Sequence, residues 1–215
     1  MSPVTDTKPK RRRMSAADRR EAILDAALEE FSVNGFHETS LEGVADRAGI
    51  SKALIYEHFR SKRDLHEALL GRYVHELLER TITAIATAAP PEERLRAGAD
   101  AFLSFVEEHR EPWRLMVRNP NDSGVEASVG RQQREIAHAI AALMQADATP
   151  EMEEEPDHGR FEIEMLAQQL TGAWRGVGIW WDDHREVPRE RLLETLMDFA
   201  WLGLDRLSKG ETWAD

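Results

Sequence analysis

The chain has 215 residues, 41% of them hydrophobic, and a formal net charge of −12, enough to bury a core and to suit one small domain beside a larger one. It has no cysteine, which excludes disulfides, thiolate metal sites and thiol nucleophiles, and no apolar run approaches the roughly 18 residues of a membrane span, so a cytoplasmic protein with no membrane partner is expected. The charge is uneven, +3 over residues 8–63 (12 Lys and Arg against 9 Asp and Glu) and −14 over residues 64–215 (16 against 30), which leaves only the N-terminal quarter able to face phosphates.

Residues 1–14 carry Lys8, Lys10, Arg11, Arg12 and Arg13 without apolar periodicity and read as a flexible basic arm. Ser15 and Asp18 form a capping-box-like pair at the head of a first helix, whose stripe of Ile23, Leu24, Ala27, Leu28 and Phe31 is ended by Gly35. Thr39 with Glu42 starts a short second helix through Leu41, Val44 and Ala45 to Ala48, after which Gly49 can take a left-handed turn. Ser51 caps a third helix that turns Ile55 and Phe59 inward and gives Lys52, Ala53 and Tyr56 another face. Ser61 with Asp64 caps a long fourth helix through Leu65, Leu69, Tyr73, Leu77 and Ile85, which Pro90 and Pro91 stop. Further helices are predicted at about 92–109, 112–118, 125–146, 159–182 and 189–207. No segment alternates as a strand does. The expected fold class is all-α: a three-helix helix-turn-helix DNA-binding domain at 15–62 and a helical ligand-binding and dimerisation domain at 63–208, between the arm and a tail at 209–215.

Two short helices joined by a glycine-containing turn, the second presenting small and polar residues, are what insertion into a major groove requires. Lys52 can reach guanine edges or a phosphate, Ala53 and Leu54 can meet thymine methyls, and Tyr56 can offer its hydroxyl to a phosphate. His58 and Lys62 fall where a helix end and the next cap meet the backbone, packing being an equal alternative for His58. The arm is either a solvated tail or, placed just before a reader helix, an element that reaches the adjacent minor groove with Arg11, Arg12 and Arg13.

The run Ala22-Ile23-Leu24-Asp25-Ala26-Ala27, followed by Phe31, Gly35-Phe36, Thr39-Ser40, Val44-Ala45, Ala48-Gly49-Ile50-Ser51, Tyr56, His58-Phe59, Ser61-Lys62 and Leu65, closely resembles the N-terminal pattern of the tetracycline-repressor (TetR) family of one-component bacterial regulators. The resemblance implies a ligand-responsive transcriptional regulator, most often a repressor. It would bind a palindromic double-stranded DNA operator as a homodimer and be released by a small apolar effector whose identity is unknown. Position by position it implies that Thr39, Ser40, Ser51, Lys52, Ala53, Tyr56, His58 and Lys62 contact DNA. Tyr56, His58 and Lys62 would meet mainly phosphates, leaving Lys52, Ala53 and Leu54 for base readout. Many relatives have glycine or a polar residue where Ala53 and Leu54 stand, a departure that bears on the operator sequence and not on DNA binding.

In the last two helices Gly172 and Gly176 allow close approach, and Leu192, Leu196, Phe199, Gly203 and Leu207 form a stripe. Intrachain core and intermolecular contact both fit that stripe, and the resemblance implies a four-helix bundle with a symmetry mate. A two-fold dimer would place two recognition helices roughly 34 Å apart on the DNA. Aromatic and sulfur side chains, frequent in this half, fill cores as well as line adaptable pockets. The resemblance implies a cavity among the middle helices, with Phe102, Phe105, Trp113, Met116, Met165, Gln169, Trp174 and Arg175 as candidate ligand contacts and Gln169 and Arg175 as the orienting groups.

Reaction motifs are near misses. His75-Glu76-Leu77-Leu78-Glu79 has glutamate where a zinc helix needs its second histidine, and Gly176 and Gly178 lack the third glycine of a dinucleotide loop. No nucleophile elbow or phosphate loop occurs, and Asp182, Asp183 and His184 read as exposed turn residues before they read as metal ligands. No catalytic residue, metal or cofactor is expected. The remaining alternative is a helical interaction or ligand-binding protein without a DNA role.

Overall fold

The computed structural model describes residues 14–87, 89–117, 134–142 and 156–208, without the side chains of 156–160, 162 and 204–208. The arm with Arg11, Arg12 and Arg13, the 209–215 tail and the side chain of Leu207 lie outside the described residues. The fold is all-α, with no strand among the described residues. Its helices are α1 (Ala16–Glu38), α2 (Leu41–Ala48), α3 (Lys52–Tyr56), α4 (Lys62–Ile85), α5 (Pro91–Glu108) and α6 (Arg110–Val117). Residues 134–142 form α7, followed by α8 (Pro156–Asp183) and α9 (Arg189–Ser208). Two compact units, Met1–Leu65 and His66–Asp215, divide the chain inside α4. That boundary lies three residues past the one the sequence suggests, and Leu65, fully buried, falls on the N-terminal side of it.

In the first unit α1 begins with a complete capping box. Ser15 Oγ accepts from Asp18 N at 3.0 Å, and the Asp18 carboxylate accepts from Ser15 N at 3.3 Å, satisfying two of the otherwise orphaned donors of a helix start. Gly35, at φ 70°, interrupts the helical backbone of α1 before its last residues. The sequence assigns the cap of α2 to Thr39, but the structure gives that role to Ser40, whose hydroxyl accepts from Gly43 N at 3.0 Å. Thr39 faces the other way: its hydroxyl lies within hydrogen-bond distance of two carbonyl oxygens of α1, Gly35 O at 2.8 Å and Glu30 O at 3.1 Å. Ile23, Leu24, Ala27 and Phe31 of α1 pack with Val44, Ala45, Ile55 and Phe59 in the buried core of this unit. Each large side chain so buried contributes about 1.5–3 kcal/mol.

In the second unit α5 packs on α6, α8 and α9, and α8 also meets α6 and α9. Pro91 opens α5 at the position where its missing N–H costs nothing. Two polar attachments hold α6 against α8. The indole Nε1 of Trp113 donates to Gly178 O at 3.1 Å, and Arg114 Nε donates to both carboxylate oxygens of the buried Asp182 at 3.0 and 2.9 Å. Hydrogen bonding to Asp182 raises the Arg114 guanidinium above its ordinary value, and Arg185 pairs with the same carboxylate, so the buried charge is compensated. Gly178 has no room for a side chain: a Cβ there would lie 2.6 Å from Trp113 Cζ2 and 3.2 Å from Phe102 Cζ.

Candidate nucleic-acid interface and effector cavity

The reader's outer face is built on α3. Gly49, at φ 65° and ψ 34°, ends α2 in the left-handed conformation that favours glycine, and Ser51 then caps α3 by accepting from Leu54 N at 3.3 Å. With Ile55 and Phe59 buried, the helix leaves Lys52, Ala53 and Tyr56 exposed, Tyr56 at 53%. Leu54 is half-buried, while Ser40 and Ser51 are exposed beside their caps. Lys52 Nζ lies 3.7 Å from Glu42 Oε2 across the turn, both side chains largely in solvent. Glu42 entered the sequence reading only as a capping residue, and a carboxylate that shares the exposed face with Lys52 is legible only once α2 and α3 are set against each other.

Three expected DNA contacts have other duties. Thr39 is only 3% exposed and its hydroxyl is engaged with α1. Lys62 reaches back to the end of α1, donating to His37 O at 2.8 Å and Thr39 O at 2.9 Å with its ammonium 4.8 Å from the centre of the Phe36 ring. His58 is half-buried against Phe59, and its Nε2 is buried without a hydrogen-bond partner. Arg47, on the last turn of α2, is held by Glu29 at 2.7 Å and Glu30 at 2.9 Å, and the hydrogen bond to Glu30, then that to Glu29, raises its guanidinium above the ordinary value.

The second unit has a partly open pocket of about 70 Å³ lined by Val74, Leu77 and Thr81 of α4, Phe102 of α5, Trp113, Met116 and Val117 of α6, Ile136 and Ile140 of α7, and Thr171, Trp174 and Arg175 of α8. Of the residues expected at a ligand, the structure gathers Phe102, Trp113, Met116, Trp174 and Arg175 here and leaves out three. Phe105 is fully buried but turns its ring to His109, 4.8 Å away, at a node where His109 Nε2 lies 2.9 Å from Glu76 and Arg80 joins Glu76 and Glu108 at 2.6 Å each. Met165 and Gln169 are exposed on the outside of α8. The missed lining of α4 was visible as apolar residues at helical spacing but reads equally well as ordinary core. Phe102 packs edge-on to Trp113, centroids 5.5 Å apart, and tilted on Trp174 at 5.8 Å, a preferred aromatic geometry that fixes the corner of the cavity.

A third feature is an apolar face turned to solvent. On α8, Phe161, Met165, Gly172, Gly176 and Trp180 are all exposed at intervals of four or seven residues, and on α9 Phe199 (73%), Leu202 and Gly203 are exposed. A Cβ at Gly172, Gly176 or Gly203 would meet nothing within 4 Å. The stripe expected on α9 is therefore split: Leu192 and Leu196 are buried within the chain, whereas Phe199 and Gly203 point outward.

Comparison with known proteins agrees with this arrangement. Residues 23–69 match the model of the bacterial regulatory proteins of the tetR family, and residues 91–203 match that of a tetracyclin repressor-like C-terminal domain. The chain is similar to the HTH-type transcriptional activator FasR of Mycolicibacterium smegmatis, with 30% identity over 198 residues, 91% of this chain and 87% of that protein. It is also similar to the HTH-type transcriptional repressor KstR2 of the same organism, with 33% identity over 110 residues, about half of each chain at 51% and 50%. Among solved structures, a TetR-like transcriptional regulator from Rhodococcus sp. RHA1 aligns with a TM-score of 0.70 and 30% identity, covering 90% of this chain and 99% of that one.

Proposed function

The chain belongs to the tetR family of bacterial regulatory proteins and is a DNA-binding transcriptional regulator, not an enzyme; from that premise we propose that it binds a palindromic operator as a homodimer and lets go when a small apolar molecule fills its cavity. The observation that carries the DNA-facing half is the polarity of α3, with Ile55, and Phe59 just beyond the helix, buried and Lys52, Ala53 and Tyr56 outward, the division a helix needs to sit in a major groove. Lys52, Ala53 and Leu54 read bases, Ser40, Ser51 and Tyr56 position the reader on phosphates, and Arg11, Arg12 and Arg13 add affinity from the arm. The exposed face of α8 and α9 joins two copies. It acts in the cytoplasm, where its operator lies.

A cavity ligand lowers operator affinity only by preferring the DNA-free state, and a coupling of about 1–3 kcal/mol is the usual size of that linkage. The test is a titration of the DNA upstream of the protein's own coding sequence. Specific binding with a steep loss of affinity as salt rises is expected; binding no tighter than to scrambled DNA of the same length would refute the reading.

A dimer that occupies a promoter blocks polymerase, which favours repression. The similarity to an activator over 91% of the chain favours a second reading, in which the bound dimer recruits polymerase instead. Transcription in vitro from that upstream DNA separates them: less product with added protein means repression, more means activation.

A further inference from the structure

Glu42 stands beside Lys52 with no local duty that explains it. With Ser40 capping α2, the reciprocal partner of a capping box would be residue 43, which is Gly43, so the Glu42 carboxylate is not spent on the helix start. Any acidic residue in the first turn of α2 would serve the helix dipole as well. The ion pair with Lys52 does not account for it either: at 3.7 Å, with the two side chains 50% and 72% exposed, it adds little to stability. On a surface that meets phosphates the same charge is a penalty on every duplex. Its position is tied to that of Lys52. An ammonium that reaches a base edge brings the carboxylate beside it to about the same depth, and their 3.7 Å separation is close to the rise of one base pair, roughly 3.4 Å.

We propose that Glu42 is a further specificity-determining residue, accepting a hydrogen bond from the N4 amino group of a cytosine in the base pair that Lys52 reads or in the one next to it. The proposal rests on α3 being the element that enters the major groove, and it adds a base reader from α2. In that groove cytosine offers a donor, whereas guanine and thymine present none. Adenine sets its N6 donor beside the N7 acceptor, a pattern that suits an amide and not a carboxylate. Glu42 therefore acts in both directions. With cytosine opposite it the carboxylate is satisfied, and with any other base it is an unanswered charge among phosphates, which weakens binding.

The full-length protein is first offered randomised duplexes, and the tightest-bound sequence is then varied one base pair at a time, with affinity read by fluorescence anisotropy at fixed salt. Wild type should require a cytosine at one pair of each half-site and lose about tenfold when it is replaced. Glu42→Ala should flatten that one position and bind the duplexes that lack the cytosine tighter than wild type does. Glu42→Gln should move the preference there to adenine, which glutamine reads through N6 and N7. A carboxylate that acted only as bulk charge would leave the ranking unchanged and let Glu42→Ala bind all sequences tighter by one factor. One that only oriented Lys52 would make Glu42→Ala weaker on the preferred duplex and no tighter on the others. Either result would overturn the proposal. Lys52→Ala on the same duplexes separates the two levels: a ranking relaxed by Lys52→Ala but not by Glu42→Ala fails this inference alone, and a wild type without sequence preference fails the reader as well.

Discussion

Lys62 has a charge that is already answered inside the protein. Its ammonium donates to His37 O and Thr39 O, and cations at a helix C-terminus are favoured by the carbonyls that end it. Lys62→Met is therefore expected to lower the melting temperature, at a cost of about 1 kcal/mol for a partly exposed charged hydrogen bond, with operator affinity nearly unchanged where the variant is folded. An unchanged melting temperature with weaker binding to every DNA would make Lys62 a phosphate contact after all. Lys52 is placed differently, its only partner among the described residues being Glu42 at 3.7 Å in solvent, a pair worth little. Lys52→Ala should cost about 1–3 kcal/mol on the preferred operator and less on mismatched duplexes. Tyr56→Phe, which removes an exposed hydroxyl, should weaken cognate and scrambled DNA by the same factor. Fluorescence anisotropy with both duplexes reads the two apart.

At the scale of helices, what could be read from the sequence was set by local chemistry. The capping box of Ser15 and Asp18, the left-handed Gly49 and the inward pair Ile55 and Phe59 depend on neighbours within a turn or two, and the structure has all of them. The cap of α2 is not decided locally, since Thr39 and Ser40 are both good caps and the choice turns on Thr39 meeting Glu30 O and Gly35 O of α1. Long-range packing was less visible still. Periodicity shows that Leu77 and Phe105 are inward but not that Leu77 faces a void and Phe105 a histidine, and it cannot divide a stripe such as Leu192 to Gly203 between core and surface. The same kind of contact makes a prediction for α6. Gly178→Ala puts a methyl 2.6 Å from Trp113, so the indole must move and its hydrogen bond to Gly178 O must stretch. Overpacking of this sort costs about 1–3 kcal/mol, seen as a lower melting temperature, and near-ultraviolet circular dichroism should register the displaced tryptophan. An unchanged spectrum and melting temperature would mean that α6 is not seated against α8 as described.

For the molecule as a whole, the proposed homodimer requires a surface that joins two copies. The exposed apolar stripe of α8 and α9 is the surface proposed to pair them, and a stable pairing usually buries about 1,200–2,000 Å² in total. Phe199→Asp places a charge on a residue 73% exposed, so the monomer fold should be unaffected while the dimer is lost. Light scattering should then report half the wild-type mass with an unchanged circular dichroism spectrum, and the operator affinity should fall steeply because two half-sites no longer share one binding event. A dimer of unchanged mass would move the interface elsewhere. The close approach of Trp113 to Gly178 has a longer reach. A wall that admits no added atom cannot drift, so under the proposed reading, in which the cavity takes the effector, descendants that answer new molecules should collect their changes at Met116, Ile136 and Ile140, with the seam between α6 and α8 inherited intact.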